Sequence, residues 1–93
     1  MPHALDNMRY TREPADVLER ELLNHCICHK TSYLAAKTLE EDHALTVCQS
    51  GAGFYLGCWD EMGPVSRDSG YYPTAEAAQE DLDNRSWEQR LDP

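Results

Sequence analysis

The amino-acid sequence has few of the large aliphatic side chains from which a hydrophobic core is built. Leu, Ile, Val and Phe together account for 15 of its 93 residues. A chain of this length can bury only roughly 60–65% of the surface that it exposes when unfolded. The core must therefore be thin, although five Tyr and two Trp add apolar surface. We predict one small domain at residues 13–93, preceded by a mobile tail at residues 1–12, where apolar residues show little periodicity.

Acidic residues outnumber basic residues by 17 to 8, which gives the chain a formal net charge of −9 at pH 7. Such a chain is repelled by the phosphate backbones of DNA and RNA and by anionic membrane surfaces. No apolar stretch approaches the ~18 residues of a membrane span, and the N-terminus has no apolar signal core. We therefore expect a cytoplasmic protein that binds neither nucleic acid nor membranes directly.

The spacing of the apolar residues is helical before Ala44 and alternating after it. A first helix is predicted to begin at Pro14, with an apolar stripe that includes Val17, Leu18, Leu22 and Cys26. A second, short helix is predicted after it, capped by Thr31 or Ser32 and ending before the acidic run at residues 40–42, because carboxylates oppose the dipole at a helix C-terminus.

The alternating part of the sequence predicts three strands, at residues 44–49, 54–59 and 65–67, separated by turns that contain glycine. Thr74 is a good N-cap for a final helix at residues 75–84. These elements predict an α+β fold. One or two N-terminal helices precede a three-stranded antiparallel β-meander, and the C-terminal helix packs on one face of the sheet.

A tight turn between the first two strands places Cys48 opposite Tyr55. Side chains alternate between the two faces of a strand, so each face of the sheet has its own set of residues. Two aromatic residues, Tyr55 and Trp59, fall on the face away from the C-terminal helix. We expect the N-terminal helices or another molecule to cover them. The core face is predicted to carry Leu45, Val47, Phe54, Leu56 and Cys58, and the other face Thr46, Cys48, Tyr55, Gly57 and Trp59.

The cysteines lack the spacing of a structural zinc site, because one residue separates the first pair and nine residues separate the second. Cys48 and Cys58 are predicted on opposite faces of the sheet, so we expect free thiols rather than a disulfide. No cofactor and no catalytic activity are predicted, since no carboxylate can be placed to orient a histidine beside a cysteine nucleophile. One alternative remains open, a small metal- or thiol-dependent regulator that uses the cluster His25, Cys26, Cys28 and His29.

Acidic residues in the C-terminal half are the candidates for partner binding. Glu76, Glu80 and Asp83 recur at helical spacing on one face of the last helix, and Asp60 and Glu61 lie in a predicted turn. They either keep a small protein in solution or contact a basic groove on a partner, with Tyr55 or Trp59 as a buried anchor.

Six short segments of the C-terminal half form a pattern: GFYLG at 53–57, DE at 60–61, GP at 63–64, SR at 66–67, YYPT at 71–74 and EAA at 76–78. This pattern resembles small acidic phage and plasmid proteins of the anti-CRISPR and antirestriction type. The resemblance implies a non-enzymatic inhibitor or adaptor that acts in the cytoplasm of the host bacterial cell. It also implies that the acidic residues imitate the charge distribution of a nucleic acid. Its implied partner is a host protein or ribonucleoprotein complex with a basic surface, and a homodimer is left open.

Overall fold

The structure is a computed structural model that describes residues 17–93. The predicted tail at residues 1–12 and the predicted helix start at Pro14 lie outside the described residues. The predicted α+β fold is confirmed. No helix in residues 17–93 is long and apolar enough to cross a membrane. The elements in chain order are α1 (Val17–His29), α2 (Tyr33–Leu39), β1 (Thr46–Ser50), β2 (Gly53–Asp60), β3 (Gly63–Arg67) and α3 (Ala75–Asp83).

Each helix of the N-terminal half ends where the backbone enters the left-handed region. Lys30 follows α1 with φ 57°, and Glu40 follows α2 with φ 54°. Of the two capping candidates, Ser32 is the N-cap of α2, and its hydroxyl accepts a hydrogen bond of 3.0 Å from the backbone N–H of Ala35. α2 ends at Leu39, so the acidic run at residues 40–42 follows the helix as predicted.

The buried side of α1 differs from the predicted apolar stripe. Leu23, Cys26 and Ile27 are buried, whereas Val17 and Leu18 are exposed. Leu23 and Ile27 are four residues apart, and Cys26 lies beside them, so they form one stripe on the helix. The predicted stripe is right at Cys26 and at Leu22, which packs against the core, and wrong at Val17 and Leu18. It omitted Leu23 because two neighbouring leucines at 22 and 23 allowed either choice.

The sheet is an antiparallel meander with the strand order β1-β2-β3. The predicted register is confirmed, because Cys48 lies opposite Tyr55 and Ser50 lies opposite Gly53. An irregularity between Cys58 and Trp59 shifts the register between β2 and β3. Such a bulge changes the direction in which the following side chain points, and that side chain is Trp59.

The helices surround one face of the sheet. Helix α3 contacts β1 and β2, α2 contacts β3, and α1 contacts α2. Ala78 and Leu82 of α3 belong to the same buried cluster as Leu56 of β2, and Phe54 packs against that cluster. Trp87 and Leu91 are each 1% exposed and complete this core from the C-terminal segment.

A buried carboxylate joins three parts of the chain beneath the core. Asp68 follows β3 and is fully buried. Its two oxygens accept hydrogen bonds from Ser32 and Ser66 and from the backbone N–H of Leu34 and the side chain of Gln89. The carboxylate thereby connects the start of α2, the end of β3 and the C-terminal segment. Four donors compensate for removing it from water.

Candidate functional site

The face of the sheet opposite the helices carries a row of aromatic side chains. The ring of Tyr55 lies between those of Trp59 and Tyr71. Trp59 donates a hydrogen bond of 3.2 Å from Nε1 to the hydroxyl of Tyr55, and the Tyr55 and Tyr71 rings meet edge-on with 6.0 Å between their centroids. Together with Arg67 these residues are named the aromatic face.

Arg67 completes the aromatic face at the end of β3. Its guanidinium carbon lies 4.4 Å from the centroid of the Tyr71 ring, a cation–π distance. It also donates a hydrogen bond of 2.8 Å to the backbone oxygen of Ser69, which fixes the side chain. A shallow depression of about 270 Å³ is lined by Tyr55, Arg67 and Tyr71 of this face, together with Pro64 and Val65.

Tyr55 occupies a different environment from the one predicted for it. It is 5% exposed, so the expectation that it is available to a partner is wrong. Neighbours on its own face cover it, and burial raises the pKa of its hydroxyl above the ordinary value. Tyr55 therefore acts through Trp59, whose side chain is 51% exposed. The Tyr55 hydroxyl accepts the hydrogen bond of the indole Nε1–H, so this polar group of Trp59 already has a partner. Of the two predicted anchors, Trp59 is the one that solvent reaches.

The two acidic residues of the β2–β3 turn lie next to Trp59 in the chain. Both Asp60 and Glu61 are exposed, as is Met62, whose side chain is 94% exposed. Asp60 accepts a hydrogen bond of 2.7 Å from the backbone N–H of Met62, which stabilises the turn. Trp59, Asp60 and Glu61 thus form one exposed segment, named the hairpin tip.

The acidic residues of α3 are separated from the hairpin tip by the sheet. Glu76, Glu80 and Asp83 are exposed, as the helical spacing predicts. However, α3 packs on the face that carries Leu56, and it has no contact with β3. The predicted acidic residues are therefore not brought together into one surface. A flat partner surface that covers Trp59 cannot also cover the exposed side of α3.

The predicted histidine and cysteine cluster is divided between the two sides of α1. Cys26 is buried in the core, whereas His25, Cys28 and His29 are exposed. The rings of His25 and His29 lie together, with centroids 4.3 Å apart. Within residues 17–93 no three His, Cys, Asp or Glu side chains converge on a position for a metal ion. The four-ligand cluster of the alternative hypothesis is not formed.

The cysteines are free thiols, three of them buried and Cys28 exposed. Burial raises the pKa of Cys26 and of Cys58 above the ordinary value, although hydrogen bonds from Thr31 and Ser66, respectively, act in the opposite direction. A thiol that stays protonated at neutral pH is a weak nucleophile, because the thiolate is the reactive form. These two environments are typical of structural cysteines.

Sequence reasoning missed two residues of the aromatic face, Arg67 and Tyr71. Arg67 is the last residue of the predicted third strand, and Tyr71 lies between the predicted strands and the final helix. Tyr71 is adjacent to a second tyrosine, Tyr72, which pairs with Phe54 through backbone hydrogen bonds on the β3 side of β2. Side chains alternate in extended chain, so Tyr72 turns toward the core and Tyr71 toward the opposite face. That alternation was the available signal.

A comparison of the chain with protein-family models, with curated proteins and with solved structures finds no match.

Proposed function

We propose that this chain is a non-enzymatic inhibitor or adaptor that binds a basic, nucleic-acid-binding surface of a partner protein complex. The observation that supports the proposal is the hairpin tip, where a half-exposed Trp59 is held by Tyr55 and is followed by two exposed acids. A partner of the kind that the sequence resemblance implies, a bacterial defence complex, has such a basic surface.

The aromatic face favours a protein as the partner. Trp and Arg are enriched among the residues that contribute most to binding energy in protein interfaces, and Trp59 and Arg67 are both present. The hydrogen bond to Tyr55 holds the indole of Trp59 in place before binding, so less side-chain entropy is lost on association. In residues 17–93 no helix packs against this face.

The charge distribution favours a basic surface on that partner. Glu61, Glu76 and Glu80 make no ion pair with any residue in the described part of the chain, so their charges act on the surroundings. Asp60 and Glu61 are adjacent to the anchor and are placed to contact Lys or Arg side chains directly. The acids of α3 lie on the other side of the sheet and accelerate association over a distance of about one Debye length, roughly 10 Å at 0.1 M salt.

The anchor Trp59 and the acids of α3 should consequently have separable effects, the first on dissociation and the second on association. The test is a panel of purified CRISPR effector complexes and restriction enzymes, in which association and dissociation rates are measured by biolayer interferometry. Trp59→Ala should raise the dissociation rate of the bound complex about tenfold or more. Reversing Glu76, Glu80 and Asp83 to Lys should slow association about tenfold at low salt and leave dissociation nearly unchanged.

Two controls accompany these variants. Leu18→Ala removes an apolar side chain of α1 that is 77% exposed, more than the 51% of Trp59, and it should leave binding unchanged because it lies on a different surface. Circular dichroism must show that the triple reversal remains folded. The bound complex should lose its affinity for DNA or RNA, while the chain alone binds neither. If no complex in the panel binds, or if Trp59→Ala dissociates at the parental rate, the proposal is refuted.

A further inference from the structure

The exposed side of α1 carries two histidines one helical turn apart. His25 and His29 have the i, i+4 spacing that places side chains on the same face of a helix. Their ring centroids are 4.3 Å apart, and the ring planes are inclined at 46°. Both residues are exposed. Neither ring makes a hydrogen bond or an ion pair within the described residues, so the ring nitrogens are free to bind a ligand.

The ring separation matches the geometry of two imidazoles on one metal ion. With metal–nitrogen bonds of about 2.1 Å and ring centres roughly 1 Å behind the nitrogens, two ligands at a right angle have centres about 4.5 Å apart. Two ligands at a tetrahedral angle would have centres about 5 Å apart. The observed 4.3 Å is closer to the right angle. Right-angled nitrogen ligands are typical of Cu²⁺ and Ni²⁺, which prefer tetragonal coordination.

We propose that His25 and His29 form a two-imidazole chelate for a divalent transition metal ion with tetragonal preference, Cu²⁺ or Ni²⁺, whose remaining positions are filled by water. The net charge of −9 raises the local concentration of cations around the chain. A chelate also ties two positions of the last helical turn together, so the bound ion should stabilise the end of α1. This proposal does not depend on the proposed partner binding.

The test is calorimetric titration of the full chain with NiCl₂ under reducing conditions. Ni²⁺ is used because Cu²⁺ would oxidise the thiols. One Ni²⁺ should bind per chain. His25→Gln or His29→Gln should each weaken binding about tenfold or more, because either change leaves a single imidazole. A thermal melt should show a higher Tm with Ni²⁺ for the parent chain and not for the double variant.

Three controls separate the proposed site from other ligands. His43→Gln removes a histidine whose Nε2 is paired with Glu41 at 2.7 Å, and His3→Gln removes one outside the described residues. Both should leave Ni²⁺ affinity within about twofold. Cys28→Ser should also leave it unchanged. If the Cys28 variant loses binding, or if His43 or His3 matters as much as His25, the two-imidazole chelate is wrong. If Zn²⁺ binds more tightly than Ni²⁺, the proposed tetragonal preference is wrong.

Discussion

Removing the carboxylate of Asp68 should destabilise the fold more than any other change to a single polar group in the described core. One oxygen accepts from the hydroxyls of Ser32 and Ser66 at 2.8 and 2.6 Å. The other accepts from the backbone N–H of Leu34 and from Nε2 of Gln89 at 3.1 and 2.9 Å. Each donor left without a partner in a buried site costs about 1–3 kcal/mol.

Two substitutions at this position are expected to differ in a way that the geometry dictates. Asp68→Ala removes the acceptor of the backbone N–H of Leu34 and one acceptor of the Gln89 amide. The two serine hydroxyls, in contrast, can rotate and pair with each other. We expect a loss of about 3–5 kcal/mol, a large part of the roughly 5–15 kcal/mol by which a domain is stable. Asp68→Asn can turn its oxygen toward Leu34 and Gln89 and its NH₂ toward the hydroxyls, which also accept hydrogen bonds. Its cost should be about 1–2 kcal/mol.

Urea unfolding followed by circular dichroism measures both free energies of unfolding, and unchanged slopes show that the unfolded state is comparable. Asp83→Ala and Asp83→Asn on the exposed side of α3 are the matched controls, with changes within about 0.5 kcal/mol. If Asp68→Asn lowers the free energy of unfolding as much as Asp68→Ala does, the role of the Asp68 side chain as a hydrogen-bond acceptor in the core is refuted. It is equally refuted if Asp68→Ala costs less than about 1 kcal/mol.

Four further predictions concern the core and the thiols. Leu82→Ala should cost about 2–5 kcal/mol, because the side chain is 6% exposed in the core cluster, and a parental Tm would contradict the packing of α3. Gly57→Ala should cost about 1–3 kcal/mol or more in urea unfolding, since the added Cβ would lie against the backbone of β3 and 2.9 Å from the ring of a buried tyrosine. In a thiol titration four groups should react after denaturation without reductant, but only Cys28 should react rapidly in the folded chain. Burial raises the pKa of Cys26 and Cys58 from the ordinary value of 9.0. The free energy of unfolding should therefore decrease as the pH rises above about 9, because the unfolded chain loses these thiol protons first. A free energy of unfolding that stays constant between about pH 8 and 11 would contradict this.

The features that the sequence predicted correctly depend on local chemistry. Ser32 and Thr74 are N-caps because a short side chain with an oxygen can accept from the backbone of the first turn. The register of β1 and β2 follows from the tight turn that Ser50 and Gly53 close. Alternation then assigns Leu56 to the core face without any knowledge of the helices.

The features that the sequence did not reveal depend on contacts between distant residues. Asp68 is bound by donors at positions 32, 34 and 89, and no pattern in the sequence connects these residues. An aspartate between a strand and a glycine is usually a turn residue, so its burial was not predicted. Tyr55 is covered by Tyr71, sixteen positions away, and this contact requires the whole β3 segment to be placed first.

The arrangement of helices on one face of the sheet has a functional consequence. A thin core is sufficient for one covered face, and the other face must protect Cys48 and Tyr55 with its own neighbouring side chains, which leave them 7% and 5% exposed. Trp59 and Tyr71 both contact Tyr55 and stay half exposed themselves. An aromatic side chain that is fixed by its neighbours and open to solvent has the properties of an interface anchor. The acids of α3, on the opposite side, raise the negative potential around the molecule without competing for that contact. Under the proposed function, binding energy comes from the face that carries Trp59 and long-range attraction comes from α3, so substitutions on one face should leave the contribution of the other unchanged.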